Sequence, residues 1–177
     1  MRGALYLLLA CPLLCGCHRT PAEGPRTERP PLKRSQPDLL KISDLVFERY
    51  GKLGYEKLSQ PEKVFVCVWD LESEVNNGGF DQYYFNSSGD HALDALESLN
   101  TIGAKHTADL VKQANTLFGA AGPSPDQEKR EKQLDALSET ATKKLVQIER
   151  EFFKYNDNLQ ELLTAYVSRN AEAFRPK

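Results

Sequence analysis

The sequence predicts an all-α fold, a compact bundle of about six or seven helices that follows an N-terminal export signal. Three observations predict it. Apolar residues recur at three- and four-residue intervals from Leu39 to Val167, helix start and stop residues punctuate that pattern, and no run alternates apolar and polar residues as a half-buried strand would. With 177 residues, 40% of them hydrophobic, the chain has room for one core rather than two.

The elements follow in chain order. Leu39, Ile42, Val46, Tyr50 and Leu53 form one helical stripe, after which Gly51 and Gly54 loosen the chain. Ser59-Gln60-Pro61-Glu62 is a capping-box sequence with Pro in the first turn, so a second helix starts there. Its buried face uses Val64, Val68, Leu71 and Val75, with Phe65 and Trp69 flanking. It should stop at Asn76-Asn77-Gly78-Gly79, because Asn and Gly tolerate the left-handed conformation. Phe80 to Asn86 reads as a short aromatic helix ending near Gly89, and Asp90 as the N-cap of a helix carrying Leu93, Leu96 and Leu99, closed by Gly103. Ala104, Ala108, Val111 and Phe118 mark the next helix, ended by Gly119 and the Gly122-Pro123-Ser124-Pro125 loop. The long stretch from Gln127 to Tyr155 places Leu134, Leu137, Ala141, Leu145, Ile148 and Phe152 at helical intervals. A last helix carries Leu159, Leu162, Leu163, Tyr166 and Val167. This spacing suits antiparallel packing inside a bundle better than a dimeric coiled coil.

The first segment, MRGALYLLLACPLLCGC, has a basic Arg2, an apolar run from Ala4 to Leu14, and then Leu14-Cys15-Gly16-Cys17. The last four residues resemble a bacterial lipobox. The resemblance implies a signal peptide over residues 1–16, cleavage after Gly16 and acylation of Cys17. A transmembrane helix needs about 20 apolar residues, and this run is shorter and interrupted by Pro12. Leu8-Leu9-Ala10-Cys11 is a second lipobox-like string, but it leaves a hydrophobic region of only about seven residues. Acyl chains on Cys17 would hold the protein on a membrane, since each buried methylene contributes about 0.8 kcal/mol. His18 rather than Asp after the cysteine favours the outer membrane of a cell envelope by resemblance to enterobacterial sorting. Residues 17–37 read as a disordered Pro- and Arg-rich tether, and residues 38–177 as the helical domain.

The overall charge of −2 hides an asymmetry: the tether carries Arg19, Arg26, Arg29, Lys33 and Arg34, so the domain is moderately acidic. Without a basic footprint, direct binding of nucleic acid is disfavoured. Cys67 has no cysteine partner inside the domain and lies between Val66 and Val68, as a packing thiol would. The three histidines share no metal-ligand spacing, and no phosphate loop, zinc-hydrolase helix or nucleophile elbow is present. The expected function is therefore binding without cofactor or metal, with no catalytic residue to nominate. Asp70 and Glu74, at i and i+4, could hold a divalent cation with Asp81 or His91, though such pairs are most often surface charges.

The run LESEVNNGGFDQYYFNSSG from Leu71 to Gly89, followed by LNTIGA from Leu99 to Ala104, resembles the signature of a bacterial family of unknown function that includes a DNA-mimic protein. The resemblance covers most of Leu53 to Asn170 and implies an all-α fold. Architecturally, Gly78 and Gly79 form a structural turn while Phe80, Tyr84 and Phe85 fill the core. Functionally, Glu74, Asn77, Asp81, Gln82 and Tyr83 would converge as a polar cluster for a partner, with Tyr83 as a rigid anchor. Asp90, Asp94 and Glu97 lie at helical spacing and would form an acidic ridge. It sits within Asp70 to Asp109, where eight acids face the single base Lys105. These eight carboxylates are sparser than duplex DNA, which carries a charge about every 1.7 Å, and an exported protein does not meet a cytoplasmic transcription factor. The reading is thus a membrane-anchored protein-interaction module whose partner has a basic surface. A small-molecule or metal-dependent hydrolase and an immunity or antitoxin-like module are the alternatives.

Overall fold

The computed structural model describes residues 36–176; the signal peptide, the Cys17 lipidation site and nearly all of the tether lie outside the described residues. It is all-α, with seven α-helices, three short 3-10 turns and no strand among the described residues. The helices are α1 (Gln36–Leu53), α2 (Gln60–Phe85), α3 (Ala92–Ile102), α4 (Lys105–Thr116), α5 (Gln127–Asp135), α6 (Glu139–Phe152) and α7 (Leu159–Arg169).

The architecture is organised around α2. This helix packs against α1, α3, α5, α6 and α7, while α4 joins α3 to α6. Its sequence explains its position. Val64, Phe65, Val66, Cys67 and Val68 are all buried, so the helix is apolar around its full girth and can lie only in the centre of a helical layer. The peripheral helices are one-sided: Leu145, Ile148 and Phe152 form the buried face of α6, and Leu159, Leu163 and Tyr166 that of α7. Leu39 and Val46 of α1 are buried, whereas Leu53 at its end is 57% exposed.

Ser59 starts α2 as expected. Its backbone N–H and its hydroxyl both donate to Glu62 Oε2, the former at 2.8 Å. Glu62 is itself buried and ion-paired with Arg49 of α1, and Arg49 also donates to the carbonyls of Ala173 and Arg175. One guanidinium thus ties α1, the start of α2 and the C-terminal 3-10 turn Ala171–Phe174 together.

Two expectations are corrected. The apolar stretch from Gln127 to Tyr155 is two helices, because Ser138 caps a new start by accepting from the Ala141 N–H at 3.2 Å. Asp90 does not cap α3. It sits within the 3-10 turn Ser87–His91, and the cap position falls on His91. The helical periodicity of side chains continues through both junctions, so apolar spacing alone does not reveal them.

Candidate functional site

The signature segment spans a break in α2. Gly78 (φ −152°, ψ 22°) and Gly79 (φ 78°, ψ −176°) leave the helical region, and the helix resumes at Phe80. Gly79 is required twice over: its φ is left-handed, and a Cβ there would run into the carboxylate of Glu149. That carboxylate accepts from the Phe80 N–H at 3.1 Å, so α6 supplies the N-terminal cap for the second half of α2. On the other side Glu74 spans the break. Its Oε2 accepts from Gln82 Nε2 at 2.6 Å and Asn86 Nδ2 at 2.8 Å, and its Oε1 from the Ser88 hydroxyl at 3.4 Å. Asn76 Oδ1 accepts from the Tyr155 hydroxyl at 2.7 Å.

Phe80, Tyr83 and Tyr84, after the break, point inward. Phe80 meets Phe152 edge-on with centroids 5.7 Å apart, and the Tyr84 hydroxyl donates to Asn115 Oδ1 at 2.7 Å. The Asn115 amide in turn donates to the Ala92 carbonyl. Phe85, expected in the core, is instead 52% exposed. The end of α2 is closed by Arg130 of α5, which is fully buried. Its guanidinium donates to the carbonyls of Tyr84 (2.7 Å), Asn86 (2.8 Å) and Ser124 (2.7 Å) and to Asp90 Oδ1 (2.7 Å). A cation is well placed there, because the last carbonyls of a helix carry partial negative charge and lack intrahelical partners. Gly89 makes room for it: a Cβ at that position would stand 2.6 Å from Arg130 Nε.

Of the residues proposed from the sequence, Glu74 and Gln82 are bonded to each other and half-buried. Asn77 and Asp81 are exposed on either side of the break. Tyr83 is not a surface anchor: it is 1% exposed, packed among core residues on the inward side of the second half of α2. The acidic ridge is shorter than expected. Asp90 is turned to Arg130, Asp94 accepts from the Tyr55 hydroxyl at 2.8 Å while remaining exposed, and Glu97 is exposed one turn on. Only Asp94 and Glu97 share a helix face.

A second cluster lies where α1, α2 and the Ser87–His91 turn meet, and residue spacing alone does not assemble it. His91 stacks on Tyr55 (centroids 3.5 Å apart) and its Nε2 is 3.1 Å from the Tyr50 hydroxyl. The Tyr55 hydroxyl also lies 3.2 Å from Cys67 Sγ. Burial pushes the Cys67 thiol up to about 11, which keeps it protonated and unreactive at neutral pH. Burial and the nearby Glu74 push the Asp70 carboxyl up to about 7. Burial likewise pushes Glu72 up to about 7 against the opposing Tyr155 hydroxyl. His91 is committed to the two tyrosines, and among the described residues no three His, Cys, Asp or Glu side chains are grouped to hold a metal ion.

Neither a curated protein nor a solved structure matches the chain. One protein family does, described as DMP19-like protein, over residues 56–170. That span begins at the 3-10 turn preceding α2 and ends just after α7, taking in the broken α2, its Arg130 closure and the acidic stretch. On that match over about two thirds of its length, the chain belongs to the DMP19-like protein family.

Proposed function

We propose that this protein is a lipid-anchored envelope protein whose helical domain binds a protein partner through an acidic face on α2 and α3, rather than catalysing a reaction. The observation that carries the reading is one of charge. Of the eight carboxylates from Asp70 to Asp109, only Asp90 forms an ion pair among the described residues, with Arg130. Asp81, Asp94, Glu97 and Asp109 stand exposed. Elsewhere acids and bases pair along the chain, as in Glu48 with Lys52, Glu139 with Lys143 and Glu151 with Lys154. Uncompensated charge of one sign on one region steers a partner of the opposite sign and raises its association rate. Membership of a family that includes a DNA-mimic protein agrees with a module that engages basic protein surfaces. The lipobox, with Cys17 as the acylated residue, supports an anchor on a membrane.

The test has two arms. Metabolic acyl labelling with fractionation of wild type and Cys17→Ser should show acylation lost in the variant. An unprocessed soluble protein would overturn the anchor and make mimicry of DNA toward a DNA-binding protein the leading function. Partner capture from detergent-solubilised envelope should be abolished by Asp94→Lys, Glu97→Lys and Gln82→Ala combined. A partner retained by that triple variant would reject the acidic face.

A further inference from the structure

Asn77-Gly78, at the break in α2, is the single Asn-Gly step in the chain. That dipeptide carries its own chemistry. The backbone nitrogen that follows an asparagine can attack the side-chain amide carbon, and glycine, without a Cβ, neither screens that nitrogen nor resists the turn that brings it in. The other asparagines are all held by their side chains, from Asn76, whose Oδ1 accepts from Tyr155, to Asn170, which donates to the Tyr166 carbonyl. The Asn77 amide has no hydrogen bond among the described residues, and both Asn77 and Gly78 are exposed. The one asparagine whose side chain is free is thus also the one followed by glycine. A regular helix suppresses ring closure by locking the backbone on both sides of such a step. Here it locks one side only: Gly78 (φ −152°, ψ 22°) and Gly79 (φ 78°, ψ −176°) have left the helical region, and the Phe80 N–H is taken up by Glu149. Asn77 therefore stands at the end of the first half of α2, where a helix opens most readily.

We propose that Asn77 is a self-modification site, deamidating in the folded protein to aspartate or isoaspartate. The Gly78 nitrogen gives up its proton to solvent base and bonds to Asn77 Cγ, and the side-chain nitrogen leaves as ammonia, closing a succinimide. Water then opens that ring. Breaking the Cγ–N bond gives aspartate, and breaking the bond to the Asn77 main-chain carbonyl gives isoaspartate, with the chain rerouted through Cγ. Nothing is oxidised or reduced. Isoaspartate lengthens the backbone, which would interrupt a continuous helical ladder, but after Asn77 the ladder is already interrupted. Either product places an exposed carboxylate between Glu74 and Asp81 in the sequence, extending a stretch of acids in which only Asp90 is ion-paired among the described residues. The site stands whatever partner the acidic face takes.

The experiment incubates the full chain in detergent micelles in mildly alkaline buffer, either folded or unfolded in urea, and follows each asparagine by digestion and mass spectrometry against a zero-time sample. The unfolded chain sets the intrinsic rate. In the folded chain Asn77 should show the mass change of an amide turned acid at a rate within about tenfold of the unfolded one, while the other asparagines stay unchanged. Labelling by an isoaspartyl methyltransferase should mark the same position and vanish in Asn77→Gln, whose longer side chain closes such a ring far more slowly. The converted protein should be retained longer on an anion exchanger and keep its helical circular dichroism. Conversion confined to the urea sample would show that the fold protects the step and would overturn the proposal. Conversion spread evenly over the asparagines of the folded chain would overturn it as well.

Discussion

Glu62 and Asp70 are two turns apart on the same helix, both carboxylates withdrawn from water, and they respond to that withdrawal in opposite ways. Burial raises the pKa of Glu62, but two donors from Ser59 and the Arg49 guanidinium outweigh it, so the group ends below the usual carboxylate range. Asp70 has no donor among the described residues and a second acid as its neighbour, and it is pushed up to about 7. Burial by itself therefore does not decide whether a charge stabilises this fold; the presence of a partner does. The comparison extends to two arginines, the half-buried Arg49 and the buried Arg130. Arg49 and Arg130 each hold an acid and backbone carbonyls in place, at the start and at the end of α2 respectively. Between those two fixed ends lies the stretch with the unpaired carboxylates. The ends of the helix carry the architecture, and its middle is left with the charge that a partner can use.

The strongest way to break this contrast is at a paired end. Arg130→Met preserves volume but leaves Asp90 without a counter-charge and takes one donor from each of three carbonyls. Destabilisation of about 4–5 kcal/mol is expected in urea titration, a large share of the about 5–15 kcal/mol of an ordinary domain. Glu62→Gln keeps the shape and removes the charge of the buried partner of Arg49. The expected loss is about 2–3 kcal/mol, and it carries a pH signature. Because Glu62 is lowered on folding, its stabilisation is present above the unfolded value and lost as pH falls through the folded one. The difference between wild type and variant should therefore shrink in acid.

Asp70→Asn should act in the other direction. A carboxyl raised on folding has its full stability contribution below its unfolded pKa and loses it as pH rises through the folded value. The penalty is thus complete above about pH 7 and absent near pH 4. Asp70→Asn is expected to raise the melting temperature at pH 8, by on the order of 1–2 kcal/mol of stability, and to leave it unchanged at pH 4. Destabilisation at pH 8 would mean that the carboxylate has a cationic partner inside the protein, and the distinction between Glu62 and Asp70 would collapse. Glu72 is shifted in the same direction, so the wild-type curve alone does not isolate Asp70.

These differences mark the boundary of what the residues reveal unaided. The helical class, the Ser59 start and the Gly78–Gly79 break all rest on local rules: three- and four-residue spacing, a capping pair, and a backbone conformation that glycine tolerates. Such rules operate within one turn of helix and are written in the neighbouring letters. Arg130 and Arg49 follow no local rule. Each lies among other charged residues, as surface bases do, and is drawn inward only because an end of α2 arrives from 46 or 13 positions away. The trace that Arg130 leaves is Gly89, whose missing side chain makes the space, but a glycine in a turn-rich string serves equally well to bend the backbone. The same limit applies to Tyr83. Within the triplet Tyr83-Tyr84-Phe85 the hydroxyl-bearing pair is buried and the phenylalanine is exposed, the reverse of what polarity alone suggests. The Asn115 amide accounts for Tyr84; nothing among the described residues does so for Tyr83.

That makes Tyr83→Phe the smallest expected effect and the sharpest comparison, because Tyr84→Phe is its control on the adjacent residue. Removing the Tyr84 hydroxyl breaks a 2.7 Å bond and strands Asn115 Oδ1, so a loss of about 1–2 kcal/mol is expected. Removing the Tyr83 hydroxyl strands nothing, since it has no partner among the described residues to lose. Deleting a buried group that gave up water without compensation should be neutral or stabilising, by about 0.5–1 kcal/mol. If Tyr83→Phe instead destabilises as much as Tyr84→Phe, its hydroxyl is already satisfied within the fold.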